Sequence, residues 1–492
     1  MLERGSGILM HISSLSSRYG VGSFGTCAYK FIDFLKFSGQ KYWQVLPLCP
    51  VDATGSPYQS FSTFAGNFYF IDLDILKDEG LLELKDLCGV NWGANEEILD
   101  FKAINFNRLK ILKLAYSNWK DYGEVSSFIK ENDWALNYAV FMTLLEKNKY
   151  KPFWDWADEY KFKDGQAIKS FISKNERDIN FWVFLQIKFY SQWHKLKCYA
   201  NKNGIKIIGD LPIYVSGNSA DVWENPKNFC LNEDMTAKKV AGCPPDAFSK
   251  TGQLWGNPTY NWDYMSGNKY AWWANRLGFY SKIYDIVRID HFRGFDSFYV
   301  VDATQKTAVN GVWERGPGLS FFNTISKKLG KLNVIAEDLG YITDSVKKLL
   351  KDTGFPGMKI LQHAFDSRED SDSDCLPHNY NKNCVVYIGT HDNNTAIGWY
   401  NDINIESKKY CNRYINIENE NNINWQLIRF VMSTVCSVSI IQMQDILGLG
   451  SSARMNTPAT VGINWKWRIR NGACKKELGE KLYSYTKLYG RA

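Results

Sequence analysis

No stretch of the chain approaches the roughly 20 consecutive apolar residues that a bilayer-spanning helix needs, so a membrane role is not expected. The N-terminus, Met1-Leu2-Glu3-Arg4-Gly5-Ser6-Gly7, has an acid and glycines where a secretory leader needs a basic start and a long apolar core. The eleven cysteines are scattered singly, as at Cys27, Cys88, Cys198, Cys230, Cys384 and Cys436, with no C-x-x-C pair and an odd total. That pattern excludes a zinc ribbon or a disulfide framework and fits reduced thiols in a cytoplasmic protein. There is no block of Lys or Arg either: 59 basic against 52 acidic residues are spread along the chain, and the net charge of +7 gives no support to nucleic-acid binding. Nor does any repeat of 20 to 50 residues or any low-complexity linker divide the sequence.

What the chain has in excess is aromatic residues, 15 % of the total, with 18 Trp, 28 Tyr and 29 Phe. Most of these serve packing in any core. Some, however, lie beside Gly, Asn, Pro and Gln in loops, as in Ser56-Pro57-Tyr58-Gln59 and Trp255-Gly256-Asn257-Pro258. Flat apolar faces next to fixed hydrogen-bonding groups suit a sugar ring, which has apolar C–H faces and a hydroxyl rim.

Four short apolar runs each stop at an acid. Ile205 to Gly209 ends at Asp210, and Ile286 to Ile289 carries Arg288 and ends at Asp290-His291-Phe292-Arg293. Leu332 to Ala336 ends at Glu337-Asp338, and Val385 to Thr390 ends at His391-Asp392. Taken alone, an ion pair in which Arg288 or Arg293 holds Asp290 explains the second run equally well. The recurrence points further, to strands that alternate with helices and deliver polar side chains from their carboxyl ends. The expected fold is α/β, a (β/α)8 TIM barrel with helical and loop insertions around its C-terminal face. An open doubly wound sheet would rarely use four strand ends.

All 492 residues fit one catalytic barrel, with its core formed by about 1–74 and 181–492. Strands are expected at 42–48 and 68–73, with a helix at 28–38 between β segments. Residues 75–180 turn to Leu, Lys, Glu and Trp at three and four spacing and read as a mainly helical insertion. Trp182, Leu185, Phe189, Trp193 and Leu196 form one face of a helix stopped by Gly204. Residues 214–270, dense in Pro, Gly, Asn and Trp, read as an irregular, cleft-covering insertion.

Glycosyl transfer uses two carboxyl groups, one ionised to attack the anomeric carbon and one protonated to release the leaving oxygen. Asp290, kept ionised by Arg288 two residues earlier on the same strand face, suits the first role. Glu337 suits the second, and Asp392 with His291 and His391 would bind hydroxyls beside the reacting carbon.

Arg288-Ile289-Asp290-His291-Phe292-Arg293-Gly294, Glu337-Asp338-Leu339-Gly340 and Thr390-His391-Asp392-Asn393 resemble the active-site motifs of 4-α-glucanotransferases of the amylomaltase (disproportionating enzyme) family, glycoside hydrolase family 77. The similarity runs from Gly7-Ile8-Leu9-Met10-His11 to Asn464-Trp465-Lys466-Trp467-Arg468. It includes the more specific segments Gly209 to Val215 and Gly252 to Pro258, which the α-amylase clan does not share. The resemblance implies a retaining enzyme that moves α-1,4-glucan segments from a maltooligosaccharide or α-glucan donor to the 4-OH of glucose or another maltooligosaccharide, with Asp290 as nucleophile, Glu337 as general acid/base and Asp392 as transition-state stabiliser. It further implies substrate contacts from Ser56, Tyr58, Asp210, Asp246, Gln253, Trp255, Arg288, His291, His391 and Asn464. No metal or organic cofactor is implied, and the acids are compensated by Arg288 and Arg293. Three positions depart from the family pattern, Cys49 for Gly, Ala247 for Tyr and His363 for Phe; none removes an acid, and Ala247 and His363 bear on acceptor affinity, water access and product length. An α-amylase-like hydrolase and an inactive glucan-binding protein are the alternatives.

Overall fold

The computed structural model describes residues 2–52, 54–245, 249–365, 373–417 and 419–492. Its frame is an eight-stranded parallel sheet made of β1 (Gly5–Leu9), β2 (Tyr42–Gln44), β3 (Lys206–Leu211), β6 (Ile286–Ile289), β9 (Val334–Ala336), β10 (Gly357–Ile360), β11 (Cys384–Tyr387) and β12 (Val438–Gln442). The remaining strands are β4 (Lys239–Cys243), β5 (Gln253–Pro258), β7 (Ser297–Asp302) and β8 (Val312–Arg315). Each frame strand pairs with the next in chain order except β9 and β10, which stand at the two ends of the sheet, and β12 pairs with β1. Between β9 and β10 the ring is drawn together by the Ala336 N–H donating to the Pro356 carbonyl at 2.9 Å and the Met358 N–H donating to the Asp338 carboxylate at 2.6 Å. The fold is a (β/α)8 barrel.

Side chains alternate along a strand, so residues two apart share a face. Ile208, Ile286, Ile335, Val385 and Tyr387 belong to one buried cluster with Met358, Ile360, Val438 and Ile440, the interior of the barrel. Two residues on from these, at the carboxyl ends, stand Asp210, Arg288 and Glu337, with Asp290 a further two beyond Arg288. The apolar layer therefore carries a polar layer on top of it. Gly209, on the opposite face of β3, sits so close to the Tyr284 ring that an added Cβ would lie 2.2 Å from it, which fixes how β3 seats against the chain entering β6.

The helix Glu176–Lys202 returns the chain to the barrel, burying Trp182, Phe189, Trp193 and Leu196. It ends because Gly204 takes a left-handed φ of 77° and the Ile205 N–H turns back to the Ala200 carbonyl at 2.9 Å. The same helix braces the loop after β2: Gln186 accepts from the Gly66 N–H at 2.7 Å and Gln192 from the Asp72 N–H at 2.6 Å. Preceding it, residues 75–180 hold further helices, among them Phe101–Asn118 and Trp134–Lys147.

Two expectations about local structure fail. Residues 68–73 are not extended: Asn67 caps the 3-10 turn Phe68–Phe70 by accepting from the Tyr69 N–H, and Asp72 caps the helix Leu73–Asp78. Local side-chain caps outweigh the β-propensity of the aromatic run. Residues 214–270 are not irregular throughout, since β4 and β5 lie there and form with β7 and β8 a four-stranded antiparallel sheet in the order β5-β4-β7-β8. Among the described residues no helix is long and apolar enough to cross a membrane.

Candidate active site

Asp210 pairs in register with Arg288, Leu211 with Ile289, and Ile289 with Ala336. Asp290 and Glu337 are thus the next residues on adjacent strands, held level by the Asp290 N–H on the Leu211 carbonyl and the Glu337 N–H on the Ile289 carbonyl, each 3.0 Å. Arg288 is 2 % exposed and lies between the acids. Its Nη1 donates to both oxygens of the fully buried Asp210 at 2.7 Å, its Nη2 reaches Asp290 Oδ1 at 3.1 Å, and its Nε points at the Met358 sulfur, 3.4 Å away. Asp290 remains 26 % exposed and Asp392 42 %, so both open to solvent from an otherwise closed floor.

His291 follows Asp290 with a left-handed backbone, φ 51° and ψ 48°, a region in which His is more at ease than most residues. That turn aims its N–H at Glu337 Oε2, 2.6 Å away. Its ring meets the Trp255 ring edge-to-face at 4.9 Å, and Trp255 Nε1 donates to Gln253 Oε1 at 3.2 Å. Tyr58 donates to Asp210 Oδ2 at 2.7 Å and lies 2.8 Å from Nε2 of His391, whose ring stacks on its own at 14°. His391 Nε2 is also 3.3 Å from Asp392 Oδ2. Nine of the proposed site residues therefore form one connected group: Tyr58, Asp210, Gln253, Trp255, Arg288, Asp290, His291, Glu337 and His391, with Asp392 joined through His391.

Ser56 and Asn464 stand differently. Ser56 Oγ accepts from the Tyr58 N–H at 3.3 Å and shapes the turn that presents Tyr58. Asn464 spends its amide on its own loop, accepting from the Thr457 N–H at 3.0 Å and donating to the Thr460 carbonyl at 2.9 Å. Asp246 and Ala247 lie outside the described residues. Arg293 does not hold the acids: its guanidinium stacks on Trp313 at 3.8 Å and donates to the Tyr341 carbonyl and to Ser297 Oγ. The role of compensating cation falls to Arg288.

Sequence reasoning missed the loop after β12. Asn456 Nδ2 donates to Asp392 Oδ1 at 2.6 Å, Arg454 donates to the Asp392 carbonyl at 2.6 Å, and Trp465 packs against both Tyr58 and His391 at ring distances of 5.7 and 5.9 Å. Trp465 stood within a motif already singled out; Asn456 carried no signal.

Burial governs the electrostatics. It pushes Asp290 up to about 7 despite the pull of Arg288, with Asp210 and Asp392 adding to the rise, so Arg288 does not hold Asp290 in the ordinary carboxylate range. Burial also drives Glu337 well above its usual value; the Arg288 charge opposes that, and the charge on Asp290 reinforces it. Arg288 contacts Asp290 directly, whereas among the described residues no cation contacts Glu337, so a single proton shared by the two rests on Glu337. Burial lowers His391 and takes His291 down to about 3, so neither ring is charged near neutrality. Among the described residues no group of His, Cys, Asp or Glu is arranged to hold a metal ion.

The sequence pattern of the family described as 4-alpha-glucanotransferase, glycoside hydrolase family 77, matches residues 10–474. A 4-alpha-glucanotransferase of Clostridium butyricum is 48 % identical over 98 % of this chain and 100 % of its own length, and one of Streptococcus pneumoniae is 45 % identical over 100 % and 98 %. The solved amylomaltase of Streptococcus agalactiae, in complex with acarbose, superposes with a TM-score of 0.97 at 40 % identity over the whole of both chains. The amylomaltase of Corynebacterium glutamicum, 17 % identical with a TM-score of 0.76 over 99 % of this chain and 74 % of its own, shares the fold. The chain belongs to glycoside hydrolase family 77, the 4-alpha-glucanotransferases.

Proposed function

We propose that the enzyme works by retention through a covalent glycosyl-enzyme, and the observation that carries this reading is the emergence of Asp290 and Glu337 side by side from β6 and β9. Neighbouring strands lie about 4.8 Å apart. Carboxyls one strand apart suit the roughly 5 to 5.5 Å separation of retaining enzymes better than the roughly 6.5 to 9.5 Å that an inverting enzyme needs for its water.

Arg288 occupies Asp290 Oδ1, which leaves Oδ2 to attack C1 of an α-1,4-linked donor. The C1–O4 bond breaks as the Asp290–C1 bond forms, and Glu337 gives its proton to O4 of the departing chain. His291 N–H occupies Oε2 of Glu337, so the proton rides on Oε1. An acceptor 4-OH then returns a proton to Glu337 and attacks C1, releasing Asp290. Asp392 and His391 hold the hydroxyls next to C1, Tyr58 and Asp210 close the floor of that subsite, and the 214–270 segment with β4 and β5 covers the cleft. Donor and acceptor are maltooligosaccharides, glucose serving also as acceptor.

Maltotriose alone tests the reaction. Glucose together with a ladder of longer glucans, with α-linked products seen first by NMR, is the expected result; maltose and glucose without longer products would mean a hydrolase, and β-linked first products an inverting mechanism.

The pH profile of kcat/KM has its acid limb near pH 7. The nucleophile must be ionised, its pKa in the folded enzyme is raised to about 7, and the ionised fraction is therefore lost as pH falls through that value. His291, taken down to about 3 by burial, does not titrate in that window. A limb near pH 4 would mean that the open edge of Asp290 and its contact with Arg288 outweigh its partial burial.

Trp255 sets the partition between sugar and water. A hundredfold preference for the sugar corresponds to about 2.7 kcal/mol, and one stacked ring supplies about half of it. Trp255→Ala is expected to lower the ratio of transfer to hydrolysis about tenfold, read from glucose release against longer products. An unchanged ratio would remove Trp255 from the acceptor site.

A further inference from the structure

Beside His391, lined also by Leu9 of β1 and Gln442 of β12, is a small cavity with room for one water. Its lining is apolar at Met455 and Trp467, yet four other lining side chains carry a buried nitrogen or oxygen without a hydrogen-bond partner: His11 Nδ1, Ser14 Oγ, His391 Nδ1 and Gln442 Nε2. Each of the four residues is at most 6 % exposed. Buried polar atoms in proteins are nearly always satisfied, so four around one space mark a built polar site.

The other side of the His391 ring fixes what that site must supply. Asp210 is bound through both oxygens by Arg288 and accepts the Tyr58 hydroxyl proton at 2.7 Å. With its proton committed there, the Tyr58 oxygen can only accept across the 2.8 Å to His391 Nε2. The nearby carboxylate Asp392 Oδ2, 3.3 Å away, also requires a donor. Nε2 therefore carries hydrogen, and Nδ1 of the neutral ring presents a lone pair to the cavity.

We propose that His11, Ser14 and Gln442 are positioning residues that hold one buried water against His391 Nδ1, locking the imidazole in the tautomer that donates from Nε2 toward Asp392 and the sugar. The opposite tautomer would set a lone pair against two oxygens. The hydrogen bond made at one ring nitrogen sets which of the two nitrogens of a histidine carries the proton. The inference rests on the site reading above for its effect on rate, but not for its account of the ring.

Long-range ¹H–¹⁵N spectra of the full chain labelled at histidine test it directly, because the sequence has six histidines and His391→Gln identifies one. The wild-type enzyme is expected to show His391 with a protonated Nε2 and a bare, hydrogen-bonded Nδ1 at pH 8. Gln442→Leu and His11→Phe are expected to mix the tautomers and lower kcat about tenfold, with KM within about twofold. His11→Asn, whose amide keeps a polar group near the place of Nδ1, is expected to recover most of kcat. A protonated Nδ1 in the wild-type enzyme overturns the proposal without recourse to any variant. So does an unchanged spectrum and kcat in both Gln442→Leu and His11→Phe. Failure of the nucleophile assignment would show instead as surviving turnover in Asp290→Asn, and would leave the imidazole spectrum untouched.

Discussion

Asp290→Asn is expected to abolish transfer if Asp290 is the proposed nucleophile, with maltotriose turnover falling about 10⁴-fold or more while maltooligosaccharide binding stays within a few-fold. The carboxamide has the shape of the carboxylate, and its oxygen can still accept from Arg288 Nη2, so the floor formed by Arg288 and Asp210 persists. What is lost is the negative oxygen that bonds to C1. The substitution carries a second, opposite signature in stability. Asp290 has a pKa near 7 in the folded enzyme against 3.8 in the unfolded chain. Below the lower value both states are protonated and wild type and variant differ little. Between the two values the unfolded chain ionises and the folded one resists, so wild-type stability declines with rising pH; above about 7 the decline is complete. Asn stays neutral throughout. The melting temperature of Asp290→Asn should therefore draw ahead of wild type across pH 4 to 7 and hold its lead above, by about 1 to 3 °C. An inactive variant without that pH-dependent gain would mean that Asp290 is not buried against its own charge, and an active one would mean that it is not the nucleophile.

The same burial explains why the strand endings that meet at the candidate site stand out in the sequence. A parallel strand covered on both faces is almost wholly apolar, so the polar residues at its carboxyl end stand out against it, and the period of two places Arg288 with Asp290 and Ile335 with Glu337 on inward faces. Four such endings specify a ring. The antiparallel sheet offered no comparable contrast. Its strand β5, Gln253–Pro258, contains Gly, Asn and Pro, the residues of turns, and β8 is a four-residue strand with an exposed edge, Val312, Trp313 and Arg315 facing solvent. Pairing with β4 and β7 makes these segments strands; their own composition does not. Asn456 escaped for a different reason. It meets Asp392 across 64 residues of chain from a loop with no periodicity, and nothing local distinguishes it from any other loop asparagine. Arg293 was visible as a charge, but its partners were not: the aromatic face of Trp313 comes from a hairpin whose existence had to be known first.

Glu337→Gln separates the two carboxyls by leaving group. With maltotriose, kcat should fall about 10³-fold, within the range that general acid catalysis contributes. The Gln carbonyl can still accept the His291 N–H that now binds Oε2, so the side chain keeps its place and only the transferable proton disappears. An α-maltosyl fluoride needs no proton to release its leaving group, and glycosylation of Asp290 by it should approach the wild-type rate. The second step still wants a base to take the acceptor hydroxyl proton, and in the variant there is none. The maltosyl-enzyme should therefore accumulate and be visible by mass spectrometry as one maltosyl group on the peptide that contains Asp290. The basic limb of the kcat/KM profile, which reports the high proton affinity of Glu337, should vanish with it. Asp290→Asn gains nothing from the fluoride, because the missing group there is the one that forms the bond. If Glu337→Gln cleaved the fluoride no faster than maltotriose, or formed no adduct, the proton would have to come from elsewhere; Asp338 is held by the Met358 N–H and Asp392 by Asn456 and His391.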